Sequence, residues 1–229
     1  ESVELGALYE AAGFSRVVAT PHYVPYSAWT PGVSVVCEAV ADLNAAFSRK
    51  GVGVRVYAGM EIAMDSAIAW LLARGRLAGL AGTSYLLVEA PFQRSPLGWE
   101  QVCFPLLAKG HRVLLAHPER CGFFAGNPAV FDDIIGAGVF LQVNYDSFTG
   151  GYGGQAQDTA LYLLGKGYVH CAATDSHDTV YRHPRGVGAA VQVIAETAGA
   201  GAADVITRQN PERVLAGKNL KAVEKNRLV

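Results

Sequence analysis

The sequence predicts an α/β fold in which parallel strands form a closed or nearly closed barrel, and two observations carry this. Short apolar, β-branched runs alternate with stretches of helical periodicity along the whole chain, joined by short connections. No GxGxxG or GxxxxGK[ST] loop follows any of these runs, which favours a barrel over an open nucleotide-binding sheet. In order, ESVELGALYEAAG reads as an amphipathic helix offering Val3, Leu5, Leu8 and Ala12 to the core. The strand candidates are RVVAT (16–20), VRVYAGM (54–60), SYLLVEA (84–90), RVLLAH (112–117), VFLQVN (139–144) and VHCAATD (169–175). Each is apolar along nearly its whole length, as strands covered on both faces are. The helices expected after them are Val35–Arg49, Ser66–Ala73, Trp99–Lys109, Ala129–Gly136, Gln155–Leu164 and Arg185–Thr197. A last helix is expected in NPERVLAG (210–217), with Asn210 as N-cap, Pro211 in the first turn and Gly217 as stop.

Composition narrows the function classes. The chain has 229 residues, 51% of them hydrophobic, enough to bury one large core, so residues 1–229 are expected to form a single domain. With 19 Lys and Arg against 20 Asp and Glu, scattered rather than striped, nucleic acid is not an expected ligand. Cys37, Cys103, Cys121 and Cys171 form no CxxC pair and follow no signal peptide, so reduced thiols in a cytoplasmic protein are expected. No apolar run approaches the roughly twenty residues that membrane insertion requires.

The polar residues fall at the strand ends. The first run leads into Pro21-His22, the second into Glu61, the third into Glu89, the fourth into His117-Pro118-Glu119-Arg120 and the sixth into Asp175-Ser176-His177. In a barrel of parallel strands the C-terminal ends converge on one face, which would bring these distant residues together. Taken singly, each has an ordinary reading: His22 or His177 as surface histidines, Glu61, Glu89 or Asp175 as caps of the next turn. Those readings would have to hold at five strand ends at once, and a metal centre explains all five. The mixed nitrogen and oxygen set suits Zn²⁺, Mn²⁺ or Fe²⁺, and its size exceeds what one ion needs, so two or three bridged ions are expected.

His111 and His170 lie toward the opposite ends of their strands and read as structural, and His183, just beyond the last strand loop, is placed to reach the site but has no supporting pattern. Arg120 and Arg182 follow the histidines closely enough to hold a phosphate bidentately, or else to pair with Glu119 or Asp178. The aromatic loop Tyr23–Trp29 and the Gly-rich stretch Phe148–Gly154 lie where a substrate rim would form, or serve as packing.

At ATPH (19–22), GMEI (59–62), LVEAPF (87–92), AHPER (116–120) and TDSH (174–177), in that order, the sequence resembles the PHP family of metal-dependent phosphoesterases. More closely, it resembles the bacterial manganese-dependent tyrosine-protein phosphatases encoded with capsular and exopolysaccharide genes. The resemblance covers nearly the whole chain, and it implies a distorted (β/α)7 barrel, PHP/TIM-like, with a trinuclear site. Carried over residue by residue, the ligands are His22, Glu61, Glu89, His117, Asp175 and His177, with Arg120 and Arg182 as phosphate binders. It further implies a phosphoric monoester hydrolase that uses Mn²⁺, or else Fe²⁺ or Zn²⁺. The implied partner is the phosphotyrosine tail of a polysaccharide-export tyrosine kinase. Such proteins open with a strand carrying an HxH motif, a segment expected to be missing from the chain as given, and many carry His where Tyr23 stands here. The expected chemistry is in-line attack by metal-activated water, with Arg120 and Arg182 neutralising the phosphoryl oxygens and His177 or a water protonating the leaving group. No CxxxxxR loop of a cysteine phosphatase is present. The alternatives are a phosphatase of histidinol phosphate or another small phosphomonoester, and a non-catalytic regulatory barrel.

Overall fold

The computed structural model describes residues 1–92 and 98–223. Helix α1 (Ser2–Ala11) precedes strand β1 (Arg16–Ala19), which resumes after Thr20 and Pro21 as β2 (His22–Tyr23). Then follow α2 (Val33–Lys50), β3 (Arg55–Ala58) with its continuation β4 (Glu61–Ala63), α3 (Ile68–Ala73), β5 (Tyr85–Glu89) and α4 (Trp99–Ala108). The second half runs β6 (Arg112–Ala116), α5 (Gly122–Gly126), α6 (Val130–Gly136), β7 (Phe140–Asn144), α7 (Tyr145–Phe148), α8 (Gly154–Gly165) and β8 (Val169–Ala173). Helices α9 (Val187–Ala198), α10 (Ala200–Asp204) and α11 (Asn210–Leu215) close the order. All six predicted strands are present.

Every strand pair is parallel: β1 pairs with β3, and β2-β4-β5-β6-β7-β8 form a six-stranded sheet in chain order. The two sheets are one surface, because Gly59 N–H donates to Ala19 O and Glu61 N–H to Pro21 O across the break. Pro21 has no N–H to give the ladder, and its carbonyl keeps the pairing going. The break has a packing cause as well. A Cβ on Gly59 would lie 2.8 Å from Val18 Cγ1 and 2.9 Å from Leu80 Cδ2, so only glycine lets the strands pass this closely.

Apolar side chains on the two faces of the sheet enter different clusters. One face meets the surrounding helices through Ile62, Leu86, Val88, Val113, Leu115, Leu141 and Val143 with Leu106, Phe131 and Ile194. The other carries Leu87, Leu114 and Cys171, and Val18 of β1 joins them, so the sheet curls until its first and last strands face a shared interior. A cavity of about 1100 Å³ is lined by residues of both β1 and β8 and reaches His117 and Asp175.

Two local expectations need correction. Helix α1 buries Gly6 rather than its larger apolar residues, since Gly6 sits against the Phe47 ring of α2 while Val3, Leu5 and Leu8 are half-buried. Asn210 is not an N-cap. The chain arrives at it already helical through a π-helical turn, Val205–Gln209, and Asn210 has helical dihedrals. Pro211 explains the wide turn, because a proline ring clashes with the carbonyl four residues back in a regular helix. The buried Asn210 amide instead ties the C-terminal segment to the sheet, donating to His170 O and Lys221 O and accepting from Lys221 N–H. Gly217, at φ 62, is the stop that was expected.

Candidate metal centre

The strand register brings the polar residues together. His22 lies opposite Glu61 across β2 and β4, Ala63 opposite Glu89, and Glu89 opposite Ala116, the residue before His117. Two groups result: His22, Glu61 and Glu89 form one, and Glu61, His117 and Asp175 the other, each offering ligand atoms within 4.8 Å of one another. Glu61 belongs to both. Its Oε1 lies 2.7 Å from His117 Nε2 and its Oε2 3.9 Å from His22 Nδ1, while the two Glu89 oxygens lie 3.5 Å from His117 and 3.8 Å from His22.

His117 and Asp175 have left-handed backbones, at φ 30 and φ 49. Non-glycine residues reach this region at a cost of about 1–3 kcal/mol each, and such strain persists where the surroundings over-determine it. At both positions the backbone turns sharply off a strand end, which aims the two side chains inward. The Asp175 turn is also tied to α1, through Tyr9 Oη and Thr174 Oγ1 at 2.7 Å.

The electrostatics call for a cation. Burial, then the charge of Glu61, raises the Glu89 carboxyl above its ordinary value. Burial works to lower the His117 pKa, but its hydrogen bond to Glu61 and the charges of Glu61, Glu119 and Asp175 outweigh that and raise it. Carboxylates crowded in a half-buried space repel one another until a proton or a metal ion intervenes. The donors are imidazole nitrogen and carboxylate oxygen without thiolate, a set that fits Mn²⁺, Fe²⁺ or Zn²⁺.

Asp175 is also where the two arginines meet. Arg120 Nη1 donates to its Oδ2 at 2.6 Å and Arg182 Nη2 donates to the same oxygen, so neither guanidinium takes the expected alternative partner, Glu119 or Asp178; Arg182 meets Asp178 through its backbone alone. The guanidinium of Arg120 is sandwiched, 5.0 Å from the Phe92 ring and 4.1 Å from the Tyr152 ring, which holds its plane over the site. His177 stands apart from both groups. It is 42% exposed, its Nδ1 donates to Asp175 O at 3.0 Å, and its ring lies 6.2 Å from that of His22. Its Nε2 is the free nitrogen.

A buried network behind the site escaped the sequence reading. Glu119 Oε1 accepts from Asn144 N–H at 2.9 Å and Ser147 Oγ at 2.7 Å. Gln142 Nε2 donates to Asn144 Oδ1, and Asn144 Nδ2 donates to Asp175 Oδ2 at 3.0 Å. The signal existed, since of the six predicted runs the one closed by Asn144 is the one that leads into neither His nor carboxylate. The proposed rim divides: Tyr23 and Phe148 are core residues, whereas Trp29 and Tyr152 face the site. His111 and His170 lie away from it, and His183 braces its own turn by accepting from Arg185 N–H.

The open space over these groups is about 300 Å³, lined by His22, Glu89, His117, Arg120, Asp175 and Arg182 with Val24, Trp29 and Phe92. All four cysteines are free, and Cys103, Cys121 and Cys171 are buried. Among the described residues no helix is long and apolar enough to cross a membrane.

A family model described as capsular polysaccharide synthesis, CpsB/CapC, matches residues 1–216. The tyrosine-protein phosphatase YwqE of Bacillus subtilis is 28% identical over 183 residues, 80% of this chain and 72% of that protein. The putative tyrosine-protein phosphatase CapC of Staphylococcus aureus is 25% identical over 182 residues, 80% of this chain and 71% of its own. One chain from the crystal structures of YwqE from Bacillus subtilis and CpsB from Streptococcus pneumoniae, unique metal-dependent tyrosine phosphatases, superposes with a TM-score of 0.91. It is 26% identical, and the match covers 96% of the present chain and 88% of that one.

Proposed function

The chain belongs to the CpsB/CapC family of capsular polysaccharide synthesis, and from that premise we propose that it is a metal-dependent protein-tyrosine phosphatase. The observation that carries the reading is the convergence of His22, Glu61, Glu89, His117 and Asp175 beside two arginines aimed at one space. In this reading the five residues hold two or three Mn²⁺ ions, with His177 adding Nε2 as a ligand or as a proton donor. Ions bound there would supply a water activated at neutral pH and positive charge at the phosphoryl group.

The chain's own residues do the rest. Arg120 and Arg182 take the non-bridging phosphoryl oxygens in place of Asp175 Oδ2, and the Phe92 and Tyr152 rings keep the Arg120 fork in plane. Asn144, held by Gln142 and Glu119, keeps Asp175 in position when the arginines leave it. The His177 Nδ1–H bond to Asp175 O directs Nε2 outward, where the imidazolium form, protonated on both nitrogens, would pass its Nε2 proton to the leaving phenolate and return to the neutral ring. The phosphorylated tyrosine tail of a capsule-export kinase is the substrate we assign, in the cytoplasm, and the exposed Tyr26, Trp29 and Tyr181 support a rim open to peptide.

The test is hydrolysis of a phosphotyrosyl peptide and of histidinol phosphate by the full chain, with added Mn²⁺ and with chelator, alongside metal analysis. Chelator-sensitive turnover of the peptide, with about two or three ions per chain, is expected. Preference for histidinol phosphate would move the chain to the small phosphomonoesterases. A folded, metal-loaded protein that turns over neither would sink the enzyme reading.

A further inference from the structure

Trp29 is exposed where a folding role would bury it. The residue is 67% exposed, yet it lines the same cavity as Glu89, Arg120 and Arg182. The loop that carries it does not depend on the side chain. Val24 N–H donates to Trp29 O at 2.7 Å, Ser27 Oγ donates to Val24 O at 2.8 Å, and Trp29 N–H donates to Ser27 Oγ at 2.9 Å. The backbone therefore presents a large flat apolar surface to solvent at the mouth of a polar cavity. Folding alone gives no reason for that, since exposed apolar area contributes nothing to stability.

A second ring lines the cavity with it. Phe92 comes from the other loop region, after β5, is 37% exposed, and stacks on His117 at 5.5 Å and 12°. The charged floor of the cavity, Arg120 and Arg182, fixes where a phosphoryl group sits, so the leaving group must extend among the aromatic walls. A cavity of about 300 Å³ is at the small end of small-molecule sites, close quarters for a single ring and phosphate.

We propose that Trp29, together with Phe92, determines specificity by packing against the ring of an aryl phosphate leaving group, so that the site prefers aryl over alkyl phosphomonoesters. This rests on the phosphatase reading above. An aromatic ring gains offset or edge contacts with Trp29 that an alkyl chain lacks, and pairs of this kind correspond to about a 2-fold to 10-fold preference.

The experiment compares the Mn²⁺-loaded full chain with Trp29→Ala and Trp29→Phe, using phosphotyrosyl and phosphoseryl peptides of one sequence. Trp70→Ala, an exposed indole that does not line the cavity, serves as the control. In Trp29→Ala the ratio of kcat/KM for aryl over alkyl substrate is expected to fall about 5-fold, chiefly through KM, with Trp29→Phe keeping most of it. An unchanged ratio, or equal loss on both substrates, overturns the proposal. Calorimetric affinities for the non-hydrolysable phenylphosphonate and for inorganic phosphate decide the matter independently of turnover. Trp29→Ala should weaken phenylphosphonate about 5-fold more than inorganic phosphate, and equal weakening or none refutes the clamp. Absence of turnover by the parent chain would count against the phosphatase reading alone.

Discussion

His170 is a built-in acid sensitivity outside the two proposed metal-binding groups, and its size can be worked out. The imidazole is half-buried on β8, edge-on to Phe140 at 4.9 Å, and its Nδ1 accepts the Leu141 N–H at 3.1 Å. Burial, only partly opposed by a hydrogen bond to the Tyr168 backbone, pushes its pKa down from 6.5 to about 4. The sign follows from the lowered value. The unfolded chain takes a proton below about pH 6.5 while the folded chain refuses it until about pH 4, so stability is full above 6.5 and is lost as pH falls through that window. At about 1.4 kcal/mol per pH unit the complete loss is about 3 kcal/mol, of which about 2 kcal/mol has gone by pH 5. His170→Asn keeps an acceptor for Leu141 N–H and removes the titration. Urea unfolding of both proteins at pH 7.5 and pH 5, with chelator in each buffer, cancels every other group in the difference. The parent should lose about 2 kcal/mol more than the variant between the two pH values. Parallel losses, within about 0.5 kcal/mol, would show that His170 is hydrated or already charged when folded.

Two further outcomes test other parts of the structure. Arg120→Lys replaces a planar fork held between Phe92 and Tyr152 by a point charge, and kcat/KM for a phosphotyrosyl peptide should fall about 100-fold with metal content unchanged. Gly6→Ala would place a Cβ 2.3 Å from Phe47 Cζ, and despite the better helix propensity of alanine it should destabilise by about 1–2 kcal/mol in thermal unfolding. A gain in stability there would mean that the Phe47 ring yields.

The order of strands and helices was legible because periodicity is a local property: a run such as SYLLV records its own burial on both faces. Strand ends were legible for the same reason, and so the five motifs located His22, Glu61, Glu89, His117 and Asp175 before any geometry was known. What each of them touches was not legible. That Glu61 is common to both groups follows from the curl and register of the sheet, and that Arg120 and Arg182 share one Asp175 oxygen follows from how two loops fall across its mouth. His177, two residues from Asp175, shares its motif and stands outside both groups, because the left-handed turn at Asp175 points neighbouring side chains apart. Asn210 has the sequence of a cap and the role of a buried tie, a distinction made by a π-turn and a distant strand. Local sequence sets the backbone and the face on which a residue emerges; convergence across strands far apart in the chain is decided by the sheet as a whole, whose curvature no single segment encodes.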